Sequence, residues 1–335
     1  MNQKIAKVFS LFGPFLGLIF VYLIFVFVAP ATSNFVSLYS TKTILTQTVV
    51  IAIGAFGMTL VIISGGIDLS VGSMVALGTV VTAVILRKFG QPQPGLEMET
   101  AGVWLPLLAA LAAVAACAFC GFLSGAMISL FRIVPFIVTL GMMQIVRGAA
   151  LGFSQQSTVS TPPNWLTGLM KVEPSAGAWY SMAPGVWIML FLLALMFTVL
   201  RYTVFGRRVF AIGSNEATAR LCGIRVNTNR VWIYTLCGAL TGVASVMSYG
   251  NLSVGDPTGA MGMELDIIAA VVIGGGSLSG GEGSIVGSLV GALIIAILRS
   301  GCVAVGIPNF IQNIVIGAII IVAVGVDRLK HSRAA

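Results

Sequence analysis

Long uncharged apolar runs, cut by short polar connections, repeat along the whole chain. A helix needs about 20 mostly apolar residues to cross a bilayer, with about 17–25 as the working range. Runs of that length fall at roughly 9–30, 43–63, 102–130, 184–201, 231–250 and 310–326. Shorter or polar-interrupted runs fall at about 72–87, 134–152, 266–276 and 284–298. The pattern predicts an all-α polytopic membrane protein of about ten transmembrane helices. The connection at about 153–183, which carries Pro162-Pro163, Trp165 and Pro174, reads as a packed surface loop. The whole chain, 1–335, is expected to be one transmembrane domain.

Two Gly-rich stretches break this pattern. Ile62–Ser73 reads Ile-Ile-Ser-Gly-Gly-Ile-Asp-Leu-Ser-Val-Gly-Ser and holds Asp68, the only acid among the first 96 residues. Residues 273–287 read Ile-Gly-Gly-Gly-Ser-Leu-Ser-Gly-Gly-Glu-Gly-Ser-Ile-Val-Gly. Each follows an apolar half-span and precedes a Gly-punctuated helix, so both read as broken or re-entrant segments. Irregular backbone at membrane depth survives only where protein or a water-filled cavity satisfies it. An intramembrane carboxylate marks a functional site by default, and paired Gly-interrupted segments in the two halves of a transporter point to its pathway. The candidate substrate pathway is therefore Ser64, Gly65, Gly66, Asp68, Ser70, Gly274, Gly275 and Ser277. The same glycines also suit close helix packing, as Gly283-xxx-Gly287-xxx-Gly291 illustrates, and both readings require backbone to approach backbone.

Composition agrees with the membrane reading. The chain is 58% hydrophobic and 8% charged, with a mean hydropathy of +1.04, against about 25% charged residues in soluble domains. The formal net charge of +8 is spread over connections and does not form a nucleic-acid-binding patch. With the N-terminus inside, ten crossings return the C-terminus inside. Lys4, Lys7, Arg132, Arg201, Arg207, Arg208, Arg220, Arg225, Arg230, Arg328, Lys330 and Arg333 then lie inside, and Lys42, Arg87, Lys88, Lys171 and Arg299 outside. This is the bias of the positive-inside rule. Most acids, Glu264 and Asp266 among them, fall outside in this scheme. Arg147 lies toward the outer end of its span, where an arginine snorkels to the interface.

The inside connection 201–230 is the most charged part of the chain. Ser214–Ile224 reads as a short helix that Ser214 or Asn215 caps, Glu216 complements at its positive end, and Gly223 stops. Leu221 and Ile224, exposed to the cytosol, make this stretch a docking surface.

Other chemistry is excluded by what is missing. None of the six lysines follows a glycine, so no P-loop is present. Cys117 and Cys120 form a CxxC inside an apolar run without a second pair or a nearby histidine, and read as buried structural thiols. There is one histidine, His331, and no nucleophile motif, so no catalytic or metal site is expected.

Three ordered blocks together resemble the permease subunits of bacterial ABC importers for ribose and related monosaccharides. They are Gly57–Gly72, then Gly206-Arg-Arg through Ile224, then Glu264 through the Ser-Leu-Ser-Gly-Gly ending at Gly281. The resemblance implies a non-catalytic subunit of the bacterial cytoplasmic (inner) membrane. It works as a homodimer or heterodimer with a second permease copy. Cytoplasmic ATPase subunits hydrolyse ATP with Mg²⁺, no cofactor is bound by this chain, and a periplasmic sugar-binding protein delivers the sugar. Asn215, Glu216, Ala217, Arg220, Gly223 and Ile224 match the family's ATPase-coupling segment. Related permeases for branched-chain amino acids or nucleosides share the second break. An ion-coupled secondary transporter is the alternative from another class, and would use Asp68 or Asp266 as an ion site.

Overall fold

The computed structural model describes residues 3–30, 34–90, 102–173 and 181–332; side chains are described for fewer residues near the two ends. Glu97, Glu99 and Pro174 of the outer connections lie outside the described residues, as do the side chains of Lys4, Lys7, Arg328, Lys330 and His331. Twelve α-helices run in order: α1 (Gln3–Val28), α2 (Leu38–Ile63), α3 (Val71–Phe89), α4 (Trp104–Phe131), α5 (Pro135–Phe153), α6 (Pro184–Tyr202), α7 (Val204–Ser214), α8 (Glu216–Leu221), α9 (Val226–Leu252), α10 (Met263–Ile273), α11 (Ile285–Val305) and α12 (Asn309–Ser332).

Each apolar run of the sequence falls on one of these helices. Seven of them, α2 to α6, α9 and α11, are long and apolar enough to cross a membrane among the described residues. α10 is an 11-residue helix, too short to cross alone.

The core is built around α2, whose most apolar window is 94% buried although no polar stripe marks an outer face. A helix that is apolar all round belongs inside, and α2 packs against α6, α9, α10 and α11. α4 and α9 meet along glycines: Gly121 and Gly125 of one face Tyr234 and Val231 of the other, and Gly238 and Gly242 face Cys117 and Val114. Small residues let such helices approach closely where the hydrophobic effect does not drive association. Cys117 donates its thiol hydrogen to the Met74 carbonyl at 3.2 Å, in keeping with a structural role.

The connection after α5 folds back onto the bundle. Two-residue strands β1 (Val159–Ser160) and β2 (Val254–Gly255) pair antiparallel, with Val159 opposite Gly255. Asn164 donates to the Tyr249 hydroxyl at 2.9 Å, and Trp165 donates to the Val103 carbonyl at 3.2 Å.

Candidate functional site

The two Gly-rich stretches end their helices in the same way. At the end of α2, the amide of Gly65 donates to Ile62 and that of Gly66 to Val61, each at 2.9 Å. At the end of α10, Gly275 donates to Val272 at 2.9 Å and Gly276 to Val271 at 2.8 Å. This nested pair is a Schellman-type stop, which places a left-handed residue at its turn. Gly65 (φ +79°) and Gly275 (φ +91°) supply it.

The first break then runs through Asp68, which has no solvent exposure. Its Oδ1 accepts from the Ser70 amide at 2.9 Å and the Ser70 hydroxyl at 2.5 Å, just before α3 begins. A carboxylate here complements the positive end of the helix. Among the described residues, Asp68 Oδ2 has no hydrogen-bond partner, and neither does the hydroxyl of Tyr234, which lies over Gly66. Ser64 donates to the Val61 carbonyl at 2.8 Å, within its own helix end. Thr139, near the start of α5, donates to the Ile67 carbonyl at 3.2 Å. Asp68 is therefore walled in by packed elements.

The second break curls on itself: the Ser277 amide donates to the Glu282 carbonyl at 3.1 Å, and Ser277 Oγ accepts from the Ser279 amide at 3.3 Å. Gly274 lies against the Gly287 backbone with no room for a side chain, whereas a Cβ on Gly275 would meet open space. The close approach expected of these glycines thus belongs to Gly274, and Gly275 is present for its backbone angle.

The two breaks touch. The amide of Gly281 donates to the carbonyl of Ile63 at 2.8 Å, and the buried hydroxyls of Thr59 on α2 and Ser288 on α11 lie 2.6 Å apart. Against that junction sits Gly213, in the last turn of α7, where a Cβ would collide with the Ile63 carbonyl.

The charged connection folds into two helices, α7 and α8, rather than the one expected over Ser214–Ile224. Thr203 caps α7, accepting from the Gly206 amide at 3.2 Å, and apolar residues spaced on one face bury Val209 and Ile212. Asn215, rather than Ser214, caps α8 by accepting from the Thr218 amide at 2.9 Å. Gly223 (φ +80°) ends it. Glu216 pairs with Arg220 and with Arg230 of α9, both at 2.7 Å. Partial burial pushes its carboxyl up, but the hydrogen bonds and charges of the two arginines outweigh burial and hold it below the usual carboxylate range. Ala217, Arg220 and Leu221 are exposed, Leu221 at 89%. Ile224 is half-buried and packs on the small Ile212, Ala219 and Val226 cluster, so it holds α8 in place instead of facing the cytosol.

Three further charges are engaged by partners that the sequence does not reveal. Arg147 does not snorkel and does not meet Asp68. It donates to the carbonyls of Pro257 at 2.9 Å and Gly259 at 2.8 Å, with Glu264 and Asp256 close enough to act on its charge. Asp266 and Arg299, expected in outer connections, sit on α10 and α11 and pair at 2.7 Å. No group of His, Cys, Asp or Glu among the described residues could hold a metal.

The family model described as "Branched-chain amino acid transport system / permease component" matches residues 40–324. The chain belongs to this permease family. It is 38% identical to the ribose import permease protein of Escherichia coli K12 over 91% of this chain and 90% of the relative. It is 39% identical to the ribose import permease protein of Bacillus subtilis 168, over 96% and 93%. It is also 31% identical to the fructose import permease protein of Rhizobium meliloti, over 88% and 79%. No solved structure matches the permease significantly.

Proposed function

We propose that this permease is the membrane subunit of an ATP-binding-cassette importer that moves a monosaccharide of the ribose type into a bacterial cytoplasm. The observation that carries the mechanism is the contact of Gly213 with the Ile63–Gly281 junction. An ATPase pair docks on α8 through Ala217, Arg220 and Leu221. Its nucleotide-driven closure moves α8 and α7 together, because Asn215 alone separates them. α7 then shifts the junction, and with it the starts of α3 and α11. This is a two-state element biased by ATP binding in the partner, which supplies the ATP and Mg²⁺ chemistry. The chain crosses the inner membrane ten times with both termini cytoplasmic. The two Gly-rich stretches are its re-entrant segments. A periplasmic binding protein delivers sugar to the outer face.

The sugar reading is supported by relatives that are named for ribose and fructose import. The family description favours branched-chain amino acids as the second reading. Vesicles containing the permease, its co-purifying ATPase and the binding protein separate the two. ATP-dependent uptake of radiolabelled ribose, but not leucine, is the expected result. Leucine uptake would transfer the permease to the second reading, and uptake without an ATPase would make it a secondary transporter.

A further inference from the structure

α4 and α9 pack closely along their glycines, yet beside that contact they leave a groove of about 560 Å³. Phe119, Phe122 and Trp232 are exposed along it. It begins where α4 ends and α9 starts, at Ser129, Asn227 and Thr228, and the Ser129 hydroxyl donates there to the Asn227 carbonyl at 3.1 Å. It ends at Ala118 on α4 and Thr235 on α9. At about 1.5 Å per residue, Ser129 to Ala118 is about 16 Å of helix and Asn227 to Thr235 about 12 Å. Half of a hydrocarbon core about 30 Å thick is about 15 Å. The groove is thus one leaflet deep and stops at the middle of α4, where acyl chains end. A partner helix crossing the membrane would track both leaflets.

Its chemistry changes along the same direction. The deep part is apolar: Phe119 and Phe122 stack with ring centroids 6.5 Å apart on α4, and Val231 and Trp232 lie on α9. The Thr235 hydroxyl is engaged by the Val231 carbonyl at 2.8 Å and offers nothing to a ligand. The shallow end is polar and basic. Arg132, just after α4, and Arg225, just before α9, are exposed and pair with no acid among the described residues. No side chain caps α9, so its positive end adds to theirs. Glu216 does not neutralise them, because Arg220 and Arg230 already match it.

We propose that this groove binds a phospholipid with an anionic headgroup, drawn from the leaflet that borders α8. One acyl chain lies between Phe122 and Trp232 and ends near Ala118, and the phosphate meets Arg132, Arg225 and the start of α9. Basic recesses between spans bind acidic lipid headgroups in this way. The headgroup end adjoins α8, whose Arg220 donates to the Asn227 side-chain oxygen at 3.2 Å. That leaflet is the cytoplasmic one in the orientation proposed above, but the site itself depends neither on the orientation nor on the sugar.

The test takes the permease with its co-purifying ATPase, in mixed micelles. It is titrated with dibrominated phosphatidylglycerol or with dibrominated phosphatidylcholine of the same chains. Bromine quenches tryptophan fluorescence on contact, and the Trp232 signal is the difference between wild type and Trp232→Phe. Phosphatidylglycerol is expected to quench half of that signal at a concentration at least about tenfold below phosphatidylcholine, given two unpaired arginines at the headgroup. The double variant Arg132→Gln with Arg225→Gln should weaken phosphatidylglycerol alone and bring the two curves together. Ala126→Phe, which fills the groove, should weaken both lipids. If Ala126→Phe fails to assemble, the arginine variant decides alone. Equal quenching by the two lipids in the wild type leaves only a general lipid-facing surface and overturns the proposal. An unchanged preference in the arginine variant, or full quenching in an assembled Ala126→Phe, overturns it as well. Absence of Trp232 quenching by either lipid means that protein covers the groove, and overturns it too. The quenching is read without transport, so it stands whether or not the complex imports sugar.

Discussion

The Ile63 carbonyl accepts a hydrogen bond of 2.8 Å from the Gly281 amide, although the two residues lie in opposite halves of the chain. Ile63 is the last helical residue before the first break, and Gly281 lies within the second. One bond thus ties together two segments that end their helices by the same Schellman-type geometry. Because α7 rests on this point through Gly213, a displacement of α7 would bear on both breaks at once.

That relationship makes Gly213 a sensitive position. Gly213→Val places branched carbons against the Ile63 carbonyl and the Gly281 amide, backbone groups that cannot rotate away. Overpacking of this kind costs about 1–3 kcal/mol. α7 relieves it by lifting off the junction. Uptake is expected to fall strongly while the ATPase still co-purifies and still hydrolyses ATP. Unchanged sugar-stimulated uptake would remove α7 from the coupling path.

Asp68 separates stability from chemistry when two substitutions are compared. Asp68→Asn keeps an oxygen for the Ser70 amide and hydroxyl, so the start of α3 stays organised. Asp68→Ala removes the acceptor and is expected to cost about 1 kcal/mol, the usual loss when a helix-start acceptor is truncated. Thermal unfolding in detergent should show the alanine variant melting lower than the asparagine variant. Equal melting would mean that the Ser70 contacts contribute nothing to the fold.

How far the sequence reveals these features depends on whether they are local. The two stops are readable because Gly65 and Gly275 follow apolar half-helices and supply a left-handed turn. α8 is readable because Asn215 and Gly223 bracket it with standard capping chemistry. α7 escaped notice because Arg207 and Arg208 made its stretch look like a solvated loop. Its signal was Thr203 before Val204, Phe205, Val209 and Ile212 at helical spacing. The partners of Arg147 are not readable at all. They are backbone carbonyls more than 100 residues away, which every sequence contains and none advertises. The Asp266–Arg299 pair was hidden because each charge stands at the edge of its apolar run, 266–276 and 284–298, so both looked extramembrane.

The Glu216 pairs give α8 a defined pH response. Its carboxyl is held below the usual range in the folded protein, so its contribution is complete above the ordinary carboxylate pKa of about 4.3. It is lost only as pH falls through the lowered folded value. Sugar-stimulated ATPase activity should therefore show no Glu216-dependent change between pH 7 and about pH 5. Glu216→Gln loses the charge at every pH and is expected to weaken ATPase co-purification at pH 7. A wild-type loss of co-purification near pH 6, absent in Glu216→Gln, would contradict the depressed carboxyl.

Adjacent glycines in the second break should respond differently to the same methyl group. Gly275→Ala meets open space and carries only the penalty of a left-handed angle, about 1–2 kcal/mol. Gly275→Asn should recover part of that loss, because asparagine tolerates the left-handed region better than alanine. Gly274→Ala instead drives a methyl into the Gly287 backbone and must separate α10 from α11. The expected order of assembled protein, by fluorescence-detected size exclusion, is wild type, Gly275→Asn, Gly275→Ala and then Gly274→Ala. If Gly274→Ala assembled as well as wild type, the two helices would have freedom to part, and the second break would be a loose loop instead of a packed hinge.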